Sequence, residues 1–200
     1  MEIRFGRKLY SVRESYRIYF KGLRTIKYMT RAKKNEDLSP EFIERIMMGV
    51  TEVNGCAICS YAHTKMALET GISNEEIQNI LSGVMDDIPP DETAGVMFAQ
   101  HYADSRGEPS KEAWKYVVKI YGLSKAKGIL GAIRMIMIGN IYGIPWSSFF
   151  NRFIGKPDKR SKILYEINMI ITCILFTPIV IIHALASYLF QMPIISFEKK

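Results

Sequence analysis

SPEFIERIMMGVTEVNGCAICSYAHTKMALETG, residues 39–71, reads as two helices joined by a tight turn. Ser39 suits an N-cap, Pro40 the first helical position and Glu41 the positive end of the helix dipole. Ile43, Ile46, Met47 and Val50 recur at helical spacing as far as Asn54-Gly55, a turn signal. A second helix runs from about Cys56 to Thr70 and stops at Gly71, the residue type that best tolerates a left-handed cap.

The flanking sequence continues the helical pattern. Ser73-Asn74-Glu75-Glu76 is a capping box for a third helix through Ile77, Ile80 and Leu81, and Asp86 to Pro90 is a loop. Further helical patterns cover about 91–104, 111–121 and 124–142, punctuated by Gly107, Gly122 and Pro145. No alternating strand pattern of useful length occurs, so the body is expected to be all-α. The Met135-Ile136-Met137-Ile138 run reads as core or subunit interface, and Trp146 to Arg152 reads as packing. Gly155 to Arg160 has the composition of a linker.

Charge is distributed unevenly. The 200 residues carry 27 Lys/Arg against 20 Asp/Glu, a net +7. Residues 1–34 alone hold +9, residues 35–160 hold −3, and residues 161–200 hold +1. A mildly acidic body argues against a nucleic-acid partner, which a basic body would attract. In the basic arm, residues 1–35, Leu9, Val12, Tyr16, Tyr19, Leu23 and Ile26 form one apolar helical stripe, with Arg13, Arg17, Lys21, Arg24, Lys27 and Arg31 over much of the remainder. That helix either docks on the body or lies on an anionic membrane surface.

From Ile167 to Phe197 there is no Asp, Glu, Lys or Arg. Roughly 20 apolar residues cross a bilayer, so segment 161–200 is expected to carry a membrane helix over about 167–190, with burial between subunits as the competing reading. With Lys156, Lys159, Arg160 and Lys162 before it, and Lys199 and Lys200 after it, the positive-inside bias predicts a body on the cytoplasmic side. Three cysteines and a polar opening at Met1–Gly6 without an apolar signal region agree with a reducing compartment.

The chemistry concentrates at the turn. Cys56 and Cys59 sit near a helix N-terminus, whose unsatisfied N–H groups and dipole favour a thiolate. Cys59 and His63 are four residues apart on one helix face, and Cys56 is seven residues before His63 on the same face. An imidazole so placed can accept the thiol proton. Glu44 lies 10 residues before Asn54 and His63 lies 8 after Gly55. At about 1.5 Å of rise per residue they are level to within roughly 3 Å, so Glu44 is expected to face His63 and orient it.

Glu44, Cys56, Cys59 and His63 spell E-x11-C-x2-C-x3-H, and Thr51 to His63 resembles the AhpD-like branch of the carboxymuconolactone decarboxylase and alkyl hydroperoxidase superfamily. The resemblance covers about residues 36–155. It implies an all-helical, homo-oligomeric bundle and a thiol-dependent peroxidase or disulfide reductase. It further implies that Cys59 is served by His63, that Cys56 pairs with Cys59, and that Glu44 completes the proton relay. A peroxide or disulfide would be the substrate and an external dithiol the reductant, with neither cofactor nor metal. Between the cysteines the chain has Ile58, where the hydroperoxidase itself carries a second histidine.

Other readings stand beside it. The cysteines also admit a reading as an inert buried pair, or, with His63 and Glu44, as four zinc ligands in a binding module, although structural zinc favours more sulfur. A decarboxylase-like lyase would do without the cysteine pair. Glu52 reads as a solvated helix-end acid, His101 as a surface or structural histidine, Cys173 as a small buried apolar residue, and His183 as a polar group facing a helix or an interface.

Overall fold

The computed structural model describes residues 9–195 and residue 197. The polar opening Met1–Gly6 and the closing Lys199 and Lys200 lie outside the described residues. Within them the chain forms α1 (Val12–Lys34), α2 (Pro40–Asn54), α3 (Ala57–Thr70), α4 (Asn74–Leu81), α5 (Pro90–Asp104), α6 (Lys111–Asn151) and α7 (Ile163–Leu189), and no strand. A single 3-10 turn, Arg152–Ile154, follows α6. The fold is all-α, as the periodicity predicts.

Local chemistry sets the ends of these helices. Ser39 accepts from Phe42 N at 3.0 Å and Ser73 from Glu76 N at 3.1 Å, each satisfying one orphan amide. Gly55 (φ 64°) ends α2 in the left-handed region, which lets the chain reverse within two residues. Gly122 (φ 72°, ψ 161°) breaks α6 into two pieces, as its place in the pattern suggests. Pro145 does not punctuate the helix. It lies buried inside α6, which continues to Asn151. Its ring removes one hydrogen bond, but packing holds the flanking turns: Ile141, Ile144 and Ser148 are all buried.

The core lies between α2, α4, α5 and α6. Ile46, Val50, Ile77, Ile80, Ile133 and Met137 are fully buried there. Met137 and Ile136 thus belong to the core. Two buried polar contacts fix α2 on α6: Asn140 Nδ2 donates to Thr51 Oγ1 at 3.2 Å, and Asn54 Nδ2 to Met137 Sδ at 3.2 Å.

The basic helix α1 docks on this body, but not through its apolar stripe. Its buried face is Ser15, Ile18, Gly22, Thr25 and Ala32, one position off that stripe. The reason is steric. A Cβ on Gly128 would lie 2.6 Å from Ala32 Cβ, and one on Gly131 would lie 2.9 Å from the Thr25 carbonyl oxygen. Small residues on both helices let α1 and α6 approach backbone to backbone, gaining dispersion contacts along the crossing. The large residues Tyr16, Tyr19 and Phe20 turn instead to α7.

The 155–160 segment, a linker by composition, is tied down. Ser148 Oγ accepts from Asp158 N at 2.9 Å, and Asp158 holds Arg160. The Asp158 carboxyl lies below its ordinary value: burial raises it, but the Arg160 hydrogen bonds outweigh that. Trp146, Phe150 and Phe153 form no part of the core. They stack on one another through Phe149 yet stand exposed, Phe153 at 78%.

Candidate functional site

The turn between α2 and α3 carries the cysteines. Cys56 is the N-cap of α3, and its sulfur accepts from Cys59 N at 3.3 Å. Cys56 and Cys59 form a disulfide, with Cα atoms 5.3 Å apart. Both residues are buried, Cys59 at 7% exposure and Cys56 at 1%. Ile58 and Tyr61, in the first turns of α3, are exposed.

Glu44 on α2 and His63 on α3 meet across the hairpin, with Nδ1 of His63 and Oε2 of Glu44 2.8 Å apart. Both side chains are nearly nine-tenths buried. A carboxylate accepts, so Nδ1 is the donor and Nε2 is the ring nitrogen left for other partners. The structure therefore brings Glu44, Cys56, Cys59 and His63 onto one hairpin. The neighbouring Arg45 pairs with Glu76 and Glu92, which leaves Glu44 to the histidine.

Three contacts around the turn come from distant parts of the chain. Arg160 donates to the carbonyls of Asn54 (3.3 Å) and Gly55 (3.0 Å), which immediately precede Cys56. Tyr10 Oη donates to Asn54 Oδ1 at 2.6 Å, and the Arg106 guanidinium lies 4.2 Å from the centre of the Tyr10 ring. Glu14 fixes Arg106 in turn. Its carboxyl is pulled down to about 2, chiefly by its hydrogen bond to that guanidinium. A cavity of about 200 Å³ opens beside the turn among Tyr10, Asn54, Arg106, Ile144 and Arg160.

The third contact is Gly143 of α6. A Cβ there would sit 3.0 Å from Cys59 Sγ and 3.1 Å from Cys56 Sγ. Only a bare backbone lets α6 close over the disulfide. Gly143→Ala is expected to push the first turn of α3 off α6 and to destabilise the oxidised protein by about 1–3 kcal/mol, the usual cost of overpacking. Urea unfolding of the oxidised form reads this. An unchanged midpoint would show that the turn yields freely. No local pattern marks Gly143, Arg160 or Tyr10, because each acts through contacts remote in sequence.

The remaining singled-out residues lie elsewhere. His101 Nε2 accepts from Ser110 N at 3.0 Å, a structural role at the start of α6. Cys173 is a free thiol, half-buried on α7. His183 faces α1, stacked 3.9 Å from the centre of the Phe20 ring and 3.0 Å from Tyr16 Oη. Among the described residues, no group of three or more His, Cys, Asp or Glu is arranged to hold a metal ion.

A helical hairpin carrying a disulfide-bonded cysteine pair and a carboxylate-bound histidine sets the class: an all-α domain with a CxxC pair at a helix start. Residues 22–88 match the Carboxymuconolactone decarboxylase family, and the Cys56–Cys59 pair within that stretch fits a CxxC-bearing, AhpD-like member. The match begins inside α1 and ends at the α4–α5 loop, so it contains the whole hairpin. Neither the curated proteins nor the solved structures gave a match.

Proposed function

We propose that the protein is a thiol-dependent oxidoreductase, a peroxidase or disulfide reductase whose working group is the Cys56–Cys59 pair. The observation that carries this reading is the His63–Glu44 contact on the same hairpin as that pair. An inert disulfide has no use for a buried imidazole oriented by a buried carboxylate. A zinc site would need both sulfurs as separate thiolates and His63 free of its carboxylate contact, or Glu44 as a fourth donor.

In the reduced protein, His63 Nε2 takes the Cys59 proton while Glu44 stabilises the imidazolium. The thiolate attacks the distal oxygen of a peroxide. The O–O bond breaks, the alkoxide takes the proton from His63, and a Cys59 sulfenic acid remains. Cys56 sulfur then displaces hydroxide from that sulfenic sulfur. The S–S bond forms, and the Cys56 proton leaves with the hydroxide as water. With a disulfide as substrate, the thiolate attacks one of its sulfurs and Cys56 resolves the mixed disulfide. In both cases an external dithiol returns two electrons and two protons to the pair. Such a cycle suits a reducing, cytoplasmic setting, and assembly into a homo-oligomer belongs to the same proposal.

The test is a thiol count. Fully reduced protein, given one equivalent of a hydroperoxide or an oxidised dithiol, is expected to lose two thiols and to regain them from an external dithiol. Retention of all three thiols, with one equivalent of zinc bound at purification, would replace the proposal with a metal-binding module.

A further inference from the structure

The least explained surface of the molecule is α7. Its inner side, with Glu166, Met169, Thr172, Val180 and Ser187, packs on α1 and α6. The opposite side presents Ile167, Ile171, Ile174, Ile182, Leu185 and Leu189, all exposed. α7 is 27 residues long and contains an 18-residue stretch of mean hydropathy 2.4, so it is long and apolar enough to cross a membrane. Water against a stripe of this length is unfavourable, so something covers it.

A membrane crossing conflicts with α1. The two helices run parallel and in contact, from Tyr165 Oη on the Tyr10 carbonyl at one end to Lys27 Nζ 3.8 Å from the Tyr188 ring centre at the other. Arg17 and Lys21, both paired with Glu108, lie between those ends. If α7 crossed a bilayer as folded, this ionic cluster would sit at hydrocarbon depth, where charge is costly. A helix lying in the interface plane has no such problem.

The charges name the cover. Between the C-terminal half of α1 and the C-terminal end of α7 lies a cavity of about 220 Å³, lined by Arg24, Lys27, Tyr28, Ser187, Tyr188 and Gln191 among others. No carboxylate pairs with Arg24 or Lys27 among the described residues; Arg24 donates to the Met192 and Pro193 carbonyls, and Lys27 lies over Tyr188. Arg134 stands behind them, fully buried, its Nη1 unpartnered. Burial, and then the like charge of Arg134, hold the Arg24 guanidinium below its ordinary value. A second copy laid on the outer face of α7 would bring no counter-charge from that face, since residues 167–190 contain no acid. A lipid surface brings both hydrocarbon and negative charge.

We propose that the outer face of α7 lies flat on an anionic lipid bilayer, and that the cavity between α1 and α7 takes a headgroup phosphate on Arg24 and Lys27. The surface is independent of the thiol site and stands or falls separately from it.

The experiment is sedimentation of the full chain with phosphatidylcholine vesicles, pure or with roughly a third phosphatidylglycerol. Binding is expected to the anionic vesicles and to weaken in high salt. Arg24→Gln with Lys27→Gln is expected to weaken it about 25-fold, near fivefold per cation. Ile174→Glu with Ile182→Glu, both at exposed positions, is expected to abolish it with circular dichroism unchanged. Alkaline carbonate is expected to release the wild type; resistance to it would mean a spanning helix and overturn the in-plane assignment. If the glutamate pair instead reduces the mass in light scattering while vesicles leave the wild type in solution, the cover is a second copy. Inorganic phosphate raising the melting temperature as much as vesicles do would make the cavity a free-anion site. Either outcome overturns the lipid assignment.

Discussion

Cys59→Ser is expected to abolish turnover of peroxide or disulfide substrate altogether, with the helical signal and melting temperature of the reduced protein preserved. Serine differs from cysteine by one atom and fills nearly the same space, so the packing against Gly143 survives. Its hydroxyl, however, is not ionised at neutral pH and cannot form the S–S bond that closes the cycle. Cys56→Ser separates the two halves of the cycle. The first oxidation is expected to persist as a trapped sulfenic acid or mixed disulfide on Cys59, while catalytic turnover stops. His63→Ala is expected to slow the first oxidation by about 10²-fold to 10⁴-fold at neutral pH, the usual contribution of a positioned general base, with partial recovery at alkaline pH as the thiol ionises unaided. Glu44→Gln keeps the shape of the contact but loses its charge, and its effect is expected to fall between wild type and His63→Ala. Stopped-flow thiol loss measures each. Full activity in the double variant Cys56→Ser, Cys59→Ser would move the chemistry off the sulfurs and restore the lyase reading.

The hairpin was legible because every determinant in it is local. Caps, turn glycines and the i,i+4 relation of Cys59 to His63 lie within 33 residues, and the level pairing of Glu44 with His63 follows from helical rise alone. The docking of α1 was not legible for a physical reason. Periodicity finds large apolar side chains, whereas the α1–α6 crossing is made by Gly22, Thr25, Ala32, Gly128 and Gly131, whose value lies in what they lack. Pro145 misled in the opposite way: it reads as a helix stop, but the surrounding core decides. The 155–160 segment has a linker's composition, yet it carries Arg160, which grips the carbonyls before Cys56. Nothing in a string of residues says that a guanidinium will bridge more than a hundred positions.

Glu166→Ala is expected to cost about 2–4 kcal/mol of stability, the largest single loss outside the apolar core, and to free α7 from the end of α6. The Glu166 side chain is wholly buried. It accepts from Ser148 Oγ at 2.6 Å, from Arg152 Nε at 2.5 Å and Nη2 at 2.8 Å, and from Ser161 Oγ. Alanine would leave two buried hydroxyls and a guanidinium without their shared acceptor, the situation that makes broken buried pairs expensive. Arg152 is partly exposed and can turn to water, which keeps the expected loss below the top of the usual range. The acid dependence checks the assignment by its sign. Burial raises the Glu166 carboxyl, but the Arg152 and serine hydrogen bonds outweigh it and bring it down to about 2 from an ordinary 4.5. Its contribution is therefore complete above pH 4.5 and is lost as the pH falls from there through about 2. Glu14, also held at about 2, titrates across the same window, so wild-type acid unfolding alone does not isolate Glu166. The difference between wild type and Glu166→Ala does. It is expected to be full at pH 7 and to close between pH 4.5 and 2, accompanied by new proteolytic cleavage within residues 155–162 in the variant. Parallel stability curves over that range would mean that Glu166 is already protonated in the fold, and that the clasp is neutral hydrogen bonding.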